Sequence, residues 1–551
     1  TREKELPFEH ITVTRVTESG KATHAAISPD GKYVLNSVSD KGLESLWIRH
    51  VQTNSNTQVI PPMPVTYKHL HFSPDGNYIY FVRSEKEDLR FQYLYRSPVL
   101  GGTPRQVIKD VDTKITFSPD GQHIAFVRYN YPEVGKYRLI TTDVDGGGER
   151  VIASGNISDG VGDPTWSPDG KIIVLAVTQP GDALSGLMSI EVASGKRKLL
   201  ISSKDALLSI PLWLPNGSGL IYLSAGPESN FTQRQIRYVS YPDGRNHHIT
   251  TDTSEYVDLG VAGDSESIVT VLQQRRDGLY TIAANASDSS QVTQSTSGPR
   301  MFQFAWTGNA KAVDDQDFKL NVVSLDSGEK QTLFADEKHP SFWPASCEGG
   351  SSIAFMSLFR TTRNSANIWK IDPSGSNLKQ LTNGKFDSDP VCSHDGKWLA
   401  YLGPDRELMK VAIADGKTER VGDISIANAP PDISPDDRLI VSLAFAEYPK
   451  MQYLLIDSQS GKVVRSVETD RRTTGISRFA PDGKSIVYSI RAEGVDNLVR
   501  QPIDGGKPQV ITNFKSEQIV DFHWSPDGSK LGLIRGHDDS DVVLIRETAE
   551  H

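Results

Sequence analysis

Short runs in which β-branched and aromatic residues alternate with polar ones recur along the whole chain, and each opens just after the same kind of turn. Asn77-Tyr78-Ile79-Tyr80-Phe81-Val82, Gln122-His123-Ile124-Ala125-Phe126-Val127 and Lys484-Ser485-Ile486-Val487-Tyr488-Ser489 are three of them. Alternation over this length predicts half-buried strands. The sharpest turns are Ser28-Pro29-Asp30-Gly31, Ser73-Pro74-Asp75-Gly76, Ser118-Pro119-Asp120-Gly121, Ser167-Pro168-Asp169-Gly170 and Ser525-Pro526-Asp527-Gly528. Proline sets the second position of a type I turn, the serine hydroxyl can hold the turn's backbone, and glycine supplies the left-handed residue that lets two antiparallel strands rejoin.

Worn copies stand at Leu214, Ala262, Thr307, Cys347, Ser393, Ser434 and Ala480, so the turn recurs twelve times at intervals of 40 to 49 residues. A fixed period of this size marks a repeat architecture whose units cannot bury their apolar faces alone. Each unit reads as strand, turn, strand, polar loop, strand, Gly-rich turn, strand. Ile368-Trp369-Lys370-Ile371 is an example of the third strand and Gln509-Val510-Ile511-Thr512 of the fourth. Four antiparallel strands per unit make a propeller blade, so the expected fold is all-β, a β-propeller of twelve four-stranded blades.

After the last turn only Lys530-Leu531-Gly532-Leu533-Ile534 and Asp541-Val542-Val543-Leu544-Ile545 remain, so the last blade lacks an outer strand. Ile11 to Thr17 has the right place and composition to supply it, closing a ring and protecting sheet edges. Propellers typically carry about 4 to 8 blades, which favours two tandem six-bladed rings over a single twelve-bladed one. The expected division is a linker at 1–10, a first propeller at 11–298 and a second at 299–551, with Ser295-Thr296-Ser297-Gly298-Pro299 as the junction. Gln291-Val292-Thr293-Gln294 could belong to blade six or to blade twelve, which leaves room for a strand exchange between rings.

The 37% of hydrophobic residues is spread evenly, and no apolar run approaches the roughly 18 to 20 residues of a membrane span. No signal peptide opens the chain; the charged start, Thr1-Arg2-Glu3-Lys4-Glu5, reads as a linker and suggests a piece of a longer protein. A net charge of −10 argues against nucleic acid as a partner. The two cysteines, Cys347 and Cys392, sit one residue apart in their offset from the turn, and neighbouring positions on a strand face opposite ways; they read as buried free thiols.

Catalytic motifs are missing from the sequence: it has no Gly-x-Ser-x-Gly, phosphate loop, Cys-x-x-Cys or His-Glu-x-x-His. The expected catalytic set is therefore none, and the expected metal set none. His247-His248 reads as an exposed loop end before an outer strand. His537-Asp538-Asp539-Ser540-Asp541 could offer oxygens to calcium but lacks a calcium-loop grammar; a solvated acidic loop is the plainer reading, and no cofactor is expected. Phe72, Phe117, Trp166, Trp213, Trp306, Phe479 and Trp524 occur once per blade just before the turn, as wedges packed between blades would.

A binding face, if present, is expected on the loops opposite the turns, the longest being 84–92, 129–136, 225–234, 358–367 and 444–451. Within them Arg90, Phe91, Tyr129, Tyr131, Phe231, Arg360, Arg363 and Tyr448 are residue types favoured at interface hot spots.

The runs beginning at Ser28, Leu46, Phe72 and Leu94, with Pro502 to Ser516 and Ser540 to Ile545 near the end, resemble the TolB-like propeller region of transmembrane serine/threonine kinases common in acidobacteria. The resemblance spans nearly the whole chain and is weaker from about Gly263 to Gly350. It implies an extracytoplasmic sensor portion, attached in the full protein to a membrane helix and a cytoplasmic kinase, that binds a protein, peptide or glycan. The kinase's own loops are not in this sequence, so no phosphoryl transfer is assigned to it. The rival expectation is a propeller enzyme, a lyase or hydrolase, or the substrate gate of a serine peptidase. A dense buried His/Asp/Arg cluster at a channel would favour that rival; a broad aromatic and polar surface would favour binding.

Overall fold

A computed structural model describes residues 6–548 except 86–87, 179–184, 227–232, 284–289, 292–295, 298–300, 337–338, 359–364, 428, 448–449 and 471. The fold is all-β. Ten four-stranded antiparallel sheets follow one another along the chain, and one eight-stranded sheet holds the remaining strands. The chain forms two compact units, 1–274 with 538–551, and 275–537. Compared with a division at 298/299, residues 275–298 go with the second unit and 538–551 with the first.

In the first unit, blades 1 to 5 span 22–63, 65–109, 116–156, 164–203 and 207–248. In the second, the corresponding five span 304–334, 341–380, 388–425, 432–468 and 473–510. Each ring takes its sixth blade from the eight-stranded sheet. The strand Ser267–Ala283 begins in the first unit, where Val269 pairs with Gly260, and ends in the second, where Tyr280 pairs with Gln291. The strand Lys530–Glu547 does the reverse, pairing Leu531 with Trp524 in the second unit and Ile545 with Val13 in the first. The N-terminal strand Ile11–Arg15 thus closes on the end of the chain, as expected. The runs at 530–534 and 541–545, read from sequence as two strands of one blade, are instead one continuous strand shared by the two units. Thr296–Ser297 pairs with Arg276 and Asp277 at the edge of the second unit.

Blades hold together through the wedges between them. Phe72 packs with blade 1 residues Leu35 and Leu46, Trp166 with Val127 and Leu139 of blade 3, and Phe479 with Val441 and Tyr453 of the preceding blade. Rings close in the same way: Ala22, Ile27 and Val34 pack on Val269, Val542 and Leu544, while Phe304 and Trp306 pack on Leu279 and Ile534. These large side chains account for the regular period, because each adjacent pair of sheets needs a filler of similar size.

Every sharp turn repeats one hydrogen-bond set. In blade 2 the Ser73 hydroxyl donates to Asp75 Oδ1 (2.5 Å) and accepts from the Tyr78 amide (2.9 Å), while the Asn77 amide donates to Asp75 Oδ1 (3.1 Å). Gly76 takes φ 72°, where a Cβ would be strained, and Pro74 leans on the equivalent Gly121 of the next blade.

The cysteines correct the sequence reading. Cys347 and Cys392 form a disulfide, with Cα atoms 5.1 Å apart. Cys347 occupies the turn's serine position, which in other blades faces the following blade, as Leu214 and Ala480 do. Cys392 occupies the preceding position, which like Phe72 faces the blade before. The one-residue offset on adjacent blades therefore turns the two thiols towards each other rather than apart.

Candidate functional site

The candidate site is the channel at the centre of each ring, and one sequence position builds it. Four residues before the first residue of each turn, the innermost strand directs a side chain inward. In the first unit this position holds His24, His69, Lys114, Asp163, Ile210 and Asp258; in the second it holds Gln303, Trp343, Asp389, Pro430, Ile476 and Asp521. The pairing of the innermost strand slips beside this position in many blades, between Tyr67 and His69, Phe342 and Ala345, Ser388 and Val391, and Ile519 and Asp521. Such a bulge re-aims a side chain that a regular strand would send sideways. Ile210, Trp343 and Asp389 stand at φ 47°, 55° and 52°, a left-handed conformation costly for residues with a Cβ.

The first unit's channel is a closed ionic cluster. The Lys114 ammonium bonds Asp258 Oδ1 directly and the Leu259 carbonyl at 2.9 Å. Asp258 Oδ2 accepts the Ala25 amide at 3.2 Å and lies 3.5 Å from His24 Nδ1. The Lys114 amide donates to Asp163 Oδ1 (2.9 Å). Burial opposes ionisation of Asp258, but Lys114 and His24 hold its carboxyl well below the usual carboxylate range. Burial raises Asp163, with Lys114 offsetting part of the effect. It also pushes His69 well below the ordinary imidazole value and His71 down to about 3, so both rings are neutral at physiological pH.

The second unit's channel is arranged differently. Arg478, 3% exposed, donates to Asp521 Oδ1 (2.8 Å) and the Ser477 carbonyl (3.0 Å) and lies 3.2 Å from His523 Nε2. His523 Nε2 is 3.0 Å from Asp521 Oδ2. Burial would raise Asp521, yet His523 and Arg478 hold it below its ordinary value. Asp432 accepts the Phe479 amide (2.7 Å), and burial raises its carboxyl. Asp315 gathers the amides of Phe302 (2.8 Å), Gln303 (3.1 Å) and Trp343 (3.1 Å), fixing two neighbouring inner strands, while burial lifts its carboxyl to about 7. Above this network lies a cavity of about 220 Å³ to which all six inward positions contribute.

Among the described residues no group of three or more His, Cys, Asp or Glu could hold a metal ion. The run His537–Asp541, read from sequence as an acidic loop with calcium as a candidate, lies inside the strand Lys530–Glu547; Asp541 Oδ1 accepts from the Thr17 hydroxyl (2.9 Å) and the Gly20 amide (3.1 Å). His247 and His248 belong to the outer strand Asn246–His248 rather than to a loop end, with His247 against the Tyr238 ring.

With the rings and channels in view, the likeness to known proteins has a structural frame. Residues 11–213, blades 1 to 4 and the start of blade 5, match the family described as the TolB beta propeller domain. This part of the chain is similar to a TolB β-propeller. The Tol-Pal system protein TolB of Francisella tularensis subsp. mediasiatica is 27% identical over 267 residues, 48% of this chain and 50% of that protein. Its counterpart in subsp. holarctica is 26% identical over the same length. The chain spans about half the length of these relatives. Solved structures similar to it include TolB from Acinetobacter baumannii (TM-score 0.28, 15% identity, covering 64% of this chain and 80% of that one). Two others are the tricorn protease (TM-score 0.35, 11% identity, 94% and 60%) and an oligogalacturonate lyase from Vibrio parahaemolyticus (TM-score 0.34, 13% identity, 67% and 94%).

Three of the residues expected on the binding loops are described in full, all in the TolB-like part. Phe91 lies in the strand Asp88–Pro98, half-buried, beside Tyr93 and under the Lys109 ammonium, 5.1 Å from its ring centre. Tyr129 ends the strand His123–Tyr129 and is built into the blade, its hydroxyl donating to the Val161 carbonyl (2.5 Å); burial raises its pKa strongly. Tyr131 is 56% exposed. Arg90 lies in the same strand as Phe91, and Phe231, Arg360, Arg363 and Tyr448 fall outside the described residues. The channel residues were missed from sequence, and their signal is the column four places ahead of each turn, which is periodic in position but not in chemistry.

Proposed function

We propose that this chain is a non-enzymatic recognition module that works outside the cytoplasm and binds a protein or peptide segment on a propeller face and at the channel beneath it. The observation that carries this reading is that the cation at the centre of each channel, Lys114 or Arg478, is committed to an aspartate. Lys114 sits on Asp258, and Arg478 on Asp521, which also faces His523; among the described residues no serine, threonine or cysteine side chain in either channel hydrogen-bonds a histidine ring. A shaped polar surface of fixed charges suits recognition, whereas nucleophilic catalysis needs a nucleophile and base within reach. The relatives' name, a Tol-Pal system protein, fits work within a protein assembly. The disulfide Cys347–Cys392 favours an oxidising compartment. No helix among the described residues is long and apolar enough to cross a membrane.

The finer proposal, that the module is the sensor portion of a transmembrane serine/threonine kinase, rests on the sequence resemblance at both ends. As a sensor, its ligand must bind two states of the receptor with different affinity, since equal affinity shifts nothing. The proposed docking face carries Phe91 and Tyr131, with Arg90, Tyr129, Phe231, Arg360, Arg363 and Tyr448 in the same set. The test is capture from an envelope extract of the host, identification of the captured protein, and titration of that purified protein. Saturable binding weakened by Tyr131→Ala and Phe91→Ala together supports the face, and unchanged affinity in both variants denies it.

A second reading has one specific observation in its favour. The first channel holds two neutral histidines near an ammonium and two carboxylates, a set able to move protons. Turnover of a uronate oligosaccharide or a peptide, abolished by His71→Asn, would replace recognition by catalysis.

A further inference from the structure

The second channel contains a buried carboxylate, Asp389, that no cation among the described residues reaches at ion-pair distance. Asp389 lines the cavity, is 8% exposed and accepts one hydrogen bond, from the Ser388 hydroxyl to Oδ2 at 2.9 Å. Among the described residues its other oxygen has no hydrogen-bond partner and the side chain has no cation at ion-pair distance. Arg478, the cation in this channel, is taken up by Asp521 and the Ser477 carbonyl. A buried carboxylate without a counter-ion is costly, and such groups normally find one.

The first unit contains the answer to the same problem. There a lysine at the equivalent inward position, Lys114, crosses the channel and sits on Asp258. In the second unit the inward positions hold Gln303, Trp343, Pro430 and Ile476 in addition to the two aspartates, and none of these brings a positive charge. What they supply instead is a wall: Trp343 and Phe302 line the cavity beside Asp389. An aromatic face next to a carboxylate is a setting in which a desolvated cation is held from two sides. The left-handed backbone at both Trp343 and Asp389 fits a geometry kept for this purpose.

We propose that the second unit's cavity receives the cationic side chain of a lysine or arginine from a polypeptide partner, with Asp389 as its counter-ion and Trp343 as its wall. The inference rests on the recognition reading above and gives that reading its ligand chemistry. A volume of about 220 Å³ is roughly that of seven waters at about 30 Å³ each, enough for one such side chain and too small for a folded element. An anionic guest is disfavoured, because Asp389, Asp432 and Asp521 outnumber Arg478. Burial pushes the Asp389 carboxyl up to about 6, with the Ser388 hydroxyl and Arg478 offsetting part of the effect, so a cation beside it would favour its ionised form.

The test uses the whole chain at neutral pH and measures binding of Nα-acetyl-arginine amide and Nα-acetyl-lysine amide by calorimetry, with the citrulline amide as the neutral isostere of arginine. At least one cation should bind about tenfold or more tightly than citrulline, and Asp389→Asn should weaken the cation by a similar factor. A citrulline affinity equal to that of arginine, or no binding by either cation, overturns the proposal without needing any variant. A short peptide with a central arginine should bind more tightly than the amide; equal affinity would assign the site to a free small cation and overturn the side-chain part. Capture of a protein partner with undiminished affinity by Asp389→Asn would sink this inference while leaving the recognition reading in place. Cation binding without any captured partner would do the opposite.

Discussion

The two channels are built on the same column of residues and resolve burial of charge in opposite ways. In the first, Lys114 crosses the channel to neutralise Asp258, and its backbone amide holds Asp163. In the second, Arg478 and His523 contact Asp521 directly, and Asp389 lines a cavity with no cation among the described residues at ion-pair distance. The strand pairing of the blades is alike in both units, so one scaffold carries both solutions. A propeller can therefore carry one closed and one open channel by changing single residues at one offset, which separates what folds the ring from what the ring can hold.

The sharpest way to break the comparison is to empty the closed channel. Lys114→Met should cost about 3–5 kcal/mol, because it strands a buried charge, and adding Asp258→Asn should recover most of that loss. Urea unfolding of the single and double variants measures it; a neutral single variant would mean that the first channel is not closed by this pair. Next in size is the disulfide, which belongs to the second unit alone. Cys347→Ser with Cys392→Ser should lower stability by about 4 kcal/mol on a chain-entropy estimate for a loop of 45 residues. If the two units unfold in separate steps, calorimetry should show the second unit's transition shift down and the first unit's stay.

Asp389→Asn sharpens the comparison from the other side. Raising a carboxyl's pKa to about 6 costs its ionised form on the order of 3 kcal/mol. The folded state then binds the proton more tightly than the unfolded state, so the penalty is full above about pH 6, shrinks as pH falls, and is gone below the ordinary value of 3.8. The asparagine variant should therefore be more stable than the natural chain at neutral pH and match it near the ordinary carboxylate pKa. Denaturant midpoints across that range check the sign. An advantage that persists at low pH would mean the gain comes from packing. The smallest effect belongs to the shared scaffold: Ser73→Ala should cost about 1 kcal/mol through the lost turn bonds. The equivalent Ser525→Ala should cost the same, and unequal losses would show that the turns are less alike than their geometry.

The blades were legible because the turn is local: Ser73, Asp75 and Gly76 make their bonds within a few residues, so the motif is complete in the sequence. The wedges were legible for a similar reason, an aromatic residue directly before seven of the twelve turns. The route between the units was not. Asp277-Gly278 has the composition of a hairpin turn, yet the strand runs through it, because Asp277 is buried on Arg275 Nε (2.7 Å) and the Met301 amide (3.1 Å). Gly536 likewise marks close approach rather than a turn, since a Cβ there would lie 2.2 Å from the Arg276 carbonyl oxygen. The disulfide was hidden by applying a rule for one strand to two blades. The channel column was hidden because histidine, lysine, aspartate, tryptophan, proline and isoleucine share nothing but their distance from the turn.

The two long strands have a consequence for synthesis. The first ring needs residues 538–547 to complete its sixth blade, and those residues leave the ribosome after the whole of the second ring. Until then the outermost N-terminal strand has no neighbour, and five finished blades wait with an open seam. Maturation of the first ring is thus tied to synthesis of residues 538–547: a chain arrested before them would present an unpaired sheet edge to chaperones and proteases rather than a smaller working ring.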